Sequence, residues 1–429
     1  MKNKIKYFIF IIILIIVCIS VFLFLQRLFI IKPDKIKYYL KNSNASENTL
    51  PEKNNVATGV KSGYKIFYKT KPAIMFSDEY SEILSFATYV PTKAIVEYGE
   101  TKQYGKLVLS DGFKEIHKEA FFGLKPDTKY FYKIKIFDEK NNSSEDIESM
   151  FTTKTKNLND FYFSALGDSR PASGSLQPEV FSALIRQIAL REVRFVVMLG
   201  DMVQLSDVGN VSKNKAVERW KQFTETIFPI ASQIPWYAVV GNHDETDQEN
   251  SLEVYRKIWT FPSNGPTTED WFDETLYWFD FGNSLFIALN TEEPGHEKSI
   301  SAQQYFWIKK ILEEKGPQYR HIFIFSHKPI VGSSRIMEMA RDMDLNTLFS
   351  MNKVTAVFSG HDHLYCKVEK GAILYFISGG AGSPLYSNLC EGLEISKYHF
   401  LLVHVNNEKI IVNAIGENGD ILDTTNFSN

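Results

Sequence analysis

The chain has 429 residues, of which 44% are apolar and 23% are charged, and its formal net charge is −3. This length predicts two or three domains, and the apolar content is sufficient for packed cores. The small negative charge gives no general attraction to nucleic acid, so no nucleic-acid partner is expected. Three cysteines are too few for a disulfide framework.

The amino-terminal segment predicts a membrane anchor. Residues 1–6 include three lysines, and residues 7–31 are almost wholly apolar. As a helix, 7–31 would span about 37 Å, enough to cross a bilayer, and a buried core helix of this length and apolarity is unusual. Basic residues before an apolar run are typical of an export signal, so cleavage after Ser20 is the alternative. We predict a cytoplasmic tail at 1–6, an uncleaved signal anchor at 7–31, and a body outside the cytoplasm, at the cell surface or in a periplasm.

Residues 32–155 predict a tether followed by an all-β domain. Segment 32–70 is rich in Lys, Asn, Ser and Glu, which is typical of a tether. From 72 to 155, alternating apolar and polar residues predict strands at 81–88, 94–98, 119–122, 129–137 and 148–152. The stretch 124–130, ending in Tyr130, resembles the tyrosine corner of a fibronectin type III sandwich. The stretch 96–99 is similar to the amino-terminal domain of purple acid phosphatases, and we expect no catalysis from this domain.

Residues 160–415 predict an α/β domain, and 416–429 a carboxy-terminal tail. Strand-like apolar runs alternate there with helix-like stretches at 178–191, 216–228, 251–259 and 302–314. Five of the runs end in polar residues, namely Gly167-Asp168-Ser169-Arg170, Gly200-Asp201, Gly241-Asn242-His243-Asp244, Ser326-His327 and Gly360-His361-Asp362-His363. Ligands of open α/β sheets bind outside the carboxyl ends of the strands. Such a cluster of carboxylate, amide and imidazole donors suits divalent or trivalent first-row metals.

The ordered set GD…GD…GNHD…HKP…GHDH resembles the calcineurin-like metallophosphoesterases, and in particular the purple acid phosphatases. The resemblance implies a four-layer α/β sandwich that hydrolyses phosphate esters with two metal ions, such as Fe, Mn or Zn. Two metals lower the pKa of bound water and clamp the attacking and leaving oxygens of an in-line displacement.

The resemblance also implies a role for each matching residue. Asp201 would bridge the metals, Asn242, His327 and His361 would hold the second metal, and Asp168 and His363 would hold the first. His243 would act as the general acid toward the leaving oxygen, with Asp244 fixing its tautomer.

Two residues depart from the family pattern. Arg170 stands where calcineurin-like enzymes have the histidine of D-x-H, and Gln204 stands where purple acid phosphatases have a ligating tyrosine. Arginine carries only donors and cannot ligate. The first metal is then weakly held, or Gln204 or Asp207 completes its ligand set. We expect Arg170 to bind the substrate phosphate; the alternative is that it turns away and pairs with a surface acid.

The sequence is compatible with two classes of function. The favoured one is a phosphomonoesterase, with phosphodiesterase activity as an alternative. The other is a membrane-tethered binding or adhesion protein with weakened catalysis. Cys366 and Cys390 would be able to form a disulfide outside the cytoplasm.

Overall fold

The computed structural model describes residues 66–155, 158–172, 176–206, 213–245, 252–266, 270–296, 299–334 and 344–428. The predicted tail 1–6, the anchor 7–31 and nearly all of the tether lie outside the described residues. Among the residues that are described, no helix combines the length and the apolar character needed to span a bilayer.

The amino-terminal domain is built from six strands, β1 (Tyr68–Ser77), β2 (Glu82–Gly99), β3 (Lys106–Leu109), β4 (Lys114–Phe121), β5 (Lys129–Phe137) and β6 (Ile147–Thr152). The first half of β2 pairs with β1 and β4, and its second half pairs with β3 and β5. The two strands predicted at 81–88 and 94–98 are therefore one. Pro91, which has no N–H, lies within the register irregularity between Ala87 and Thr92, where β2 changes partners.

This β domain is joined closely to the rest of the chain. The Tyr130 hydroxyl accepts a hydrogen bond from the Lys125 N–H at 3.0 Å, as in a tyrosine corner. Tyr132 donates its buried hydroxyl to the Ser232 carbonyl at 2.7 Å, and Ser85 donates to the Ile258 carbonyl at 2.9 Å. Because both contacts are buried, the domain is a packed part of the molecule.

The α/β domain contains two sheets. One has the order β19-β18-β17-β7-β8-β9, with β7 (Phe161–Leu166), β8 (Val193–Met198), β9 (Trp236–Ala238), β17 (His399–Val405), β18 (Ile410–Gly416) and β19 (Ile421–Phe427). The other has the order β10-β11-β12-β13-β15-β14-β16, with β10 (Tyr277–Phe281), β11 (Ser284–Ala288), β12 (His321–Ser326), β13 (Ala356–Ser359), β14 (Tyr365–Lys370), β15 (Ile373–Ser378) and β16 (Leu393–Ile395). The predicted tail at 416–429 thus contains an edge strand, β19, paired with β18.

The two sheets pack face to face between helices. Phe163 of β7 contacts Phe286, Phe323 and Phe358 of the opposite sheet, with ring centroids 5.6 to 6.0 Å apart. Among the described residues the α-helices are α1 (Glu179–Ala189), α2 (Lys213–Ala231), α3 (Glu253–Ile258), α4 (Ala302–Glu314) and α5 (Leu345–Met351). Alternate residues of β11 and β12 form a second core with α4 and α5, because successive side chains of a strand point to opposite faces. The predicted α/β sandwich is confirmed.

Parallel pairing brings the polar strand ends together. Strands β7, β8 and β9 are parallel, with Leu166 opposite Met198 and Met198 opposite Ala238. In the other sheet β12 and β13 are parallel, with Ser326 opposite Ser359. The residues that follow these strands therefore meet at one edge of the sandwich.

His399 of β17 predicts a loss of stability in mild acid. Its Nδ1 donates to the Lys397 carbonyl at 2.8 Å and its Nε2 accepts from the Ser378 hydroxyl at 3.0 Å. Burial lowers its pKa to about 4. The pKa of an unfolded histidine is near 6.5. Between pH 4 and pH 6.5 the unfolded chain therefore binds more protons than the folded protein. The free energy of unfolding should fall by about 3 kcal/mol as pH drops from 6.5 to 4.

Urea unfolding at pH 7 and pH 4.5 measures this loss. His399→Gln should reduce the difference between the two pH values. The control, His404→Gln, removes an imidazole that pairs with an exposed Asp160, and it should change the difference by less than about 1 kcal/mol. A wild-type pH dependence in His399→Gln would contradict the assignment.

Candidate metal centre

The six predicted metal ligands meet at the shared edge of the two sheets. They are Asp168 after β7, Asp201 after β8, Asn242 beyond β9, His327 after β12, and His361 and His363 after β13. Asp168, Asp201 and His327 each offer one ligand atom, all within 4.8 Å of one another. All three side chains are buried.

Tight turns bring these residues close. Asp168, Asp201 and His361 have positive φ angles of 64°, 53° and 69°. Asn, Asp and His tolerate this left-handed region better than most non-glycine residues. A Cβ at Gly241 would lie 2.2 Å from the Asp201 nitrogen, and one at Gly360 would lie 2.6 Å from Asp168 Oδ2. These two positions therefore require glycine.

One set of ligand atoms surrounds the ring of His327. Its Nδ1 lies 2.8 Å from the Leu199 carbonyl and donates to it, so Nε2 presents a lone pair to the site. Nε2 lies 3.1 Å from Asn242 Oδ1 and 3.3 Å from Asp201 Oδ1, and His361 Nδ1 lies 3.1 Å from the same Asn242 oxygen. Adjacent ligands on a first-row metal, with bonds of about 2.1 Å, are separated by roughly 3.0–3.4 Å. These residues therefore fit a metal ion.

The second set consists of Asp168 and His363. His363 Nδ1 lies 2.8 Å from the Pro384 carbonyl and donates to it, which leaves Nε2 facing Asp168 Oδ1 at 3.4 Å. That carboxylate oxygen is buried and accepts no hydrogen bond from the described residues. Two acceptors that face each other in a buried site fit a cation between them.

A disulfide closes the loop behind His363. Cys366 and Cys390 are bonded, with Cα atoms 5.6 Å apart. The closed segment contains Pro384 and also Tyr386, whose ring stacks on His363 with centroids 4.2 Å apart. The pairing that the sequence left open is therefore present, and it restrains the loop that orients a ligand.

The electrostatics of the two carboxylates differ. Burial raises the pKa of Asp168. Burial also acts to raise the pKa of Asp201, but His327, His243 and Arg170 outweigh it and the pKa is lowered. Asp201 Oδ1 accepts from the His243 backbone N–H at 2.9 Å and Oδ2 accepts from Arg170 Nε at 3.2 Å. Asp201 is thus held as an anion at the centre of the site.

Arg170 points into the site, so pairing with a surface acid is excluded. Its side chain is 12% exposed and pairs with Asp201. Its Nη1 also donates to Gln204 Oε1 at 2.7 Å. That contact directs the amide oxygen of Gln204 toward Arg170. Asp207 lies outside the described residues.

The predicted role of Asp244 is wrong. Its carboxylate accepts from the backbone N–H groups of Met202, Val203 and Gly241, at 2.8, 3.1 and 2.9 Å. Burial, with a contribution from Asp201, raises its pKa to about 8. The backbone amides of the loop after β8 bind the carboxylate of Asp244. The carboxylate therefore does not hold the ring of His243.

Other side chains hold the His243 ring. Its Nδ1 lies 3.0 Å from Gln204 Nε2 and 2.7 Å from Ser206 Oγ. Its Nε2 faces Asp201 Oδ2 at 3.8 Å. Gln204 and Ser206 follow Asp201 closely in sequence, but only the folded turn shows which atoms they present.

A buried ion pair next to His327 also escapes sequence analysis. Lys328 Nζ lies 2.6 Å from Glu292 Oε2, and the two side chains are 6% and 4% exposed. Burial raises the pKa of Glu292, and the nearby His327 and Lys328 oppose this shift.

The fold is a two-sheet α/β sandwich with carboxylate, amide and imidazole side chains at the carboxyl ends of its strands, which is the arrangement expected of a metallophosphoesterase. Residues 163–365 match the model of the calcineurin-like phosphoesterase family. That segment, slightly less than half of the chain, is similar to calcineurin-like phosphoesterases. The chain spans 58% of the length of the first curated acid phosphatase that it matches.

Individual relatives point to the same group. Tartrate-resistant acid phosphatase type 5 of Sus scrofa is 28% identical over 207 residues, which cover 44% of this chain and 58% of that protein. Purple acid phosphatase 23 of Arabidopsis thaliana is 21% identical over 391 residues, which cover 83% of this chain and 82% of that protein. The structure of a purple acid phosphatase from seeds of yellow lupin (Lupinus luteus) aligns with a TM-score of 0.65 at 17% identity, covering 83% of this chain and 74% of that one.

Proposed function

We propose that the protein is a metal-dependent phosphatase that favours phosphate monoesters. The observation that carries this proposal is the convergence of Asp168, Asp201 and His327 within 4.8 Å at the sheet edge. The resemblance to purple acid phosphatases implies two metal sites, and the remaining predicted ligands lie around the same point. Iron, manganese and zinc suit this donor set.

Each metal would be held by its own set of residues. Asn242, His327 and His361 would hold one ion and Asp168 and His363 the other, with Asp201 shared between them. When bound, such ions supply a nucleophilic hydroxide at neutral pH and neutralise charge on the reacting phosphate.

The residues that do not ligate would act on the ester itself. Arg170 uses two N–H groups on Asp201 and Gln204, and a guanidinium has five. The others remain for a substrate phosphate, which arginine binds well because its donors match the phosphate oxygens. His243 would donate a proton to the leaving oxygen from Nε2, and this matters most for a poor leaving group.

Two other functions are alternatives to a phosphomonoesterase. A phosphodiesterase would use the same residues with a more open site. A membrane-tethered binding or adhesion protein would keep the fold with little catalysis, which the loss of the D-x-H histidine to Arg170 favours. The complete second-metal set and the inward orientation of Arg170 support the monoesterase.

Hydrolysis of p-nitrophenyl phosphate and of its bis-ester tests the proposal. The protein is treated with a chelator and then supplied with Mn²⁺, Fe²⁺ or Zn²⁺. We expect hydrolysis of the monoester only after metal addition, and slower hydrolysis of the bis-ester. A faster reaction with the bis-ester would indicate a phosphodiesterase. No hydrolysis of either ester with metal bound would support the binding protein.

We further propose that residues 7–31 anchor the protein with its body outside the cytoplasm, and that the β domain is of the fibronectin type III kind. The Cys366–Cys390 disulfide supports the location, because disulfides persist in oxidising compartments. The Tyr130 hydrogen bond supports the domain type. Protease added to cells with any outer barrier opened should degrade the body, whereas complete protection would reverse the topology.

A further inference from the structure

A chain of side-chain hydrogen bonds connects Asp201 to the ring of His243. Arg170 Nε donates to Asp201 Oδ2 at 3.2 Å, and Arg170 Nη1 donates to Gln204 Oε1 at 2.7 Å. Gln204 Nε2 then lies 3.0 Å from His243 Nδ1. Gln204 is buried and the Arg170 side chain is 12% exposed, so water competes little for these contacts.

The chemistry of these groups fixes the direction of every bond in the chain. A guanidinium has only donors, so the Gln204 atom that it contacts must be the amide oxygen. The Gln204 NH₂ group is then the one that faces His243, and it also only donates. His243 Nδ1 must accept this hydrogen bond with its lone pair. A neutral ring consequently carries its proton on Nε2.

The Ser206 hydroxyl, which also lies near Nδ1, does not decide the tautomer. Ser206 Oγ lies 2.7 Å from the same nitrogen, and a hydroxyl is able to donate or to accept. Ser206 is thus compatible with either tautomer, whereas Gln204 is compatible with one only. Nε2 lies on the other side of the ring, 3.8 Å from Asp201 Oδ2, where it faces the ligand set.

We infer that Gln204 is a positioning residue which, oriented by Arg170, keeps the ring proton of His243 on Nε2, facing the leaving oxygen of the substrate. The role in catalysis rests on the proposed phosphatase function, whereas the tautomer itself does not. Gln204 stands where a purple acid phosphatase has a ligating tyrosine. In this chain that position contributes hydrogen bonding to the proton donor instead of a metal ligand.

Nitrogen-15 NMR of the histidine rings in the Zn²⁺-loaded protein measures the tautomer directly. The His243 signals should show a protonated Nε2 and an unprotonated Nδ1. Gln204→Glu keeps the size and the contact with Arg170 but presents only acceptors, so Nδ1 should become protonated. Gln204→Met, which offers no donor, should show a partly protonated Nδ1 and serves if Gln204→Glu fails to fold. The matched control is Gln187→Glu, because Gln187 also accepts from an arginine, Arg191, but lies in α1; it should leave the His243 signals unchanged.

Kinetics separate this inference from the proposed function. General acid catalysis contributes roughly 10²–10⁴-fold, so Gln204→Glu should lower kcat for an alkyl phosphate by about 10- to 100-fold and change kcat for p-nitrophenyl phosphate much less. A protonated Nδ1 in the wild type, or an unprotonated Nδ1 in both variants, would overturn the inference while leaving phosphatase activity possible. Failure of the wild type to hydrolyse either ester would instead reject the proposed function, with the tautomer still decided by NMR.

Discussion

Replacing Asp201 by asparagine is expected to abolish phosphate-ester hydrolysis while leaving the fold intact. Asp201 is the carboxylate shared by the two candidate metal sites, and its two oxygens also hold Arg170 and the His243 backbone. Asparagine has the same shape and accepts the positive φ of 53° at this position. The substitution therefore removes the charge and replaces one of the two acceptor oxygens by an NH₂ donor, so either Arg170 or the His243 N–H loses its contact.

The expected loss in kcat on p-nitrophenyl phosphate is at least a hundredfold. A single preorganised polar group in an active site contributes about 10²–10³ in kcat, and Asp201 acts on the metals, on Arg170 and on His243 together. Metal content should fall as well, which mass spectrometry of the dialysed protein measures. The matched control is Asp280→Asn, because Asp280 also pairs with a buried cation, Lys154. Asp280 lies beside the start of β11, at the end of the sheet opposite to the metal ligands. Equal rates for wild type and Asp201→Asn on every ester would reject the phosphatase assignment.

Replacing Lys328 by methionine is expected to destabilise the protein by about 3–5 kcal/mol, because removing one member of a buried ion pair leaves the other charge uncompensated. Methionine retains most of the side-chain volume, so packing changes little. The carboxylate of Glu292, only 4% exposed, loses its contact at 2.6 Å. Urea unfolding of the metal-free protein measures the change in the free energy of unfolding.

A second variant distinguishes the charge effect from a packing defect. In Glu292→Gln combined with Lys328→Met neither charge remains, so at least half of the lost stability should return. The surface pair Lys257–Glu253 is the control, because its side chains are 38% and 50% exposed. Lys257→Met should cost less than about 1 kcal/mol. A single Lys328→Met variant as stable as wild type would show that the buried pair does not stabilise the fold.

The sequence predicts the sheet edge well because strand ends leave a local signal. Apolar runs that end at Leu166, Leu199 and Phe325 are each followed at once by glycine or serine and then by a ligand residue. Parallel pairing brings the carboxyl ends of these strands to one edge of the sandwich. The α/β fold class alone is enough to predict that arrangement. The sequence also predicts the helix at 302–314 with the bounds that the structure has, Ala302–Glu314.

Side-chain partners could not be predicted in the same way. Asp244 follows His243 in sequence, but three backbone amides occupy its carboxylate. Gln204 and Lys328 occur as isolated residues without any periodicity, so their partners depend on the packing of loops. The edge strand Ile421–Phe427 was missed because its residues are mostly half-buried or exposed and carry little apolar signal.

At Asp168, Asp201 and His361 the backbone is left-handed, so the residues that would stabilise the fold best differ from the residues that bind a metal. Glycine and asparagine adopt this conformation with the least strain. A population of variants sorted only for stable, soluble protein should therefore accumulate these two residues at the three positions. Related proteins that no longer bind metals should therefore carry glycine or asparagine at these three positions more often than other replacements.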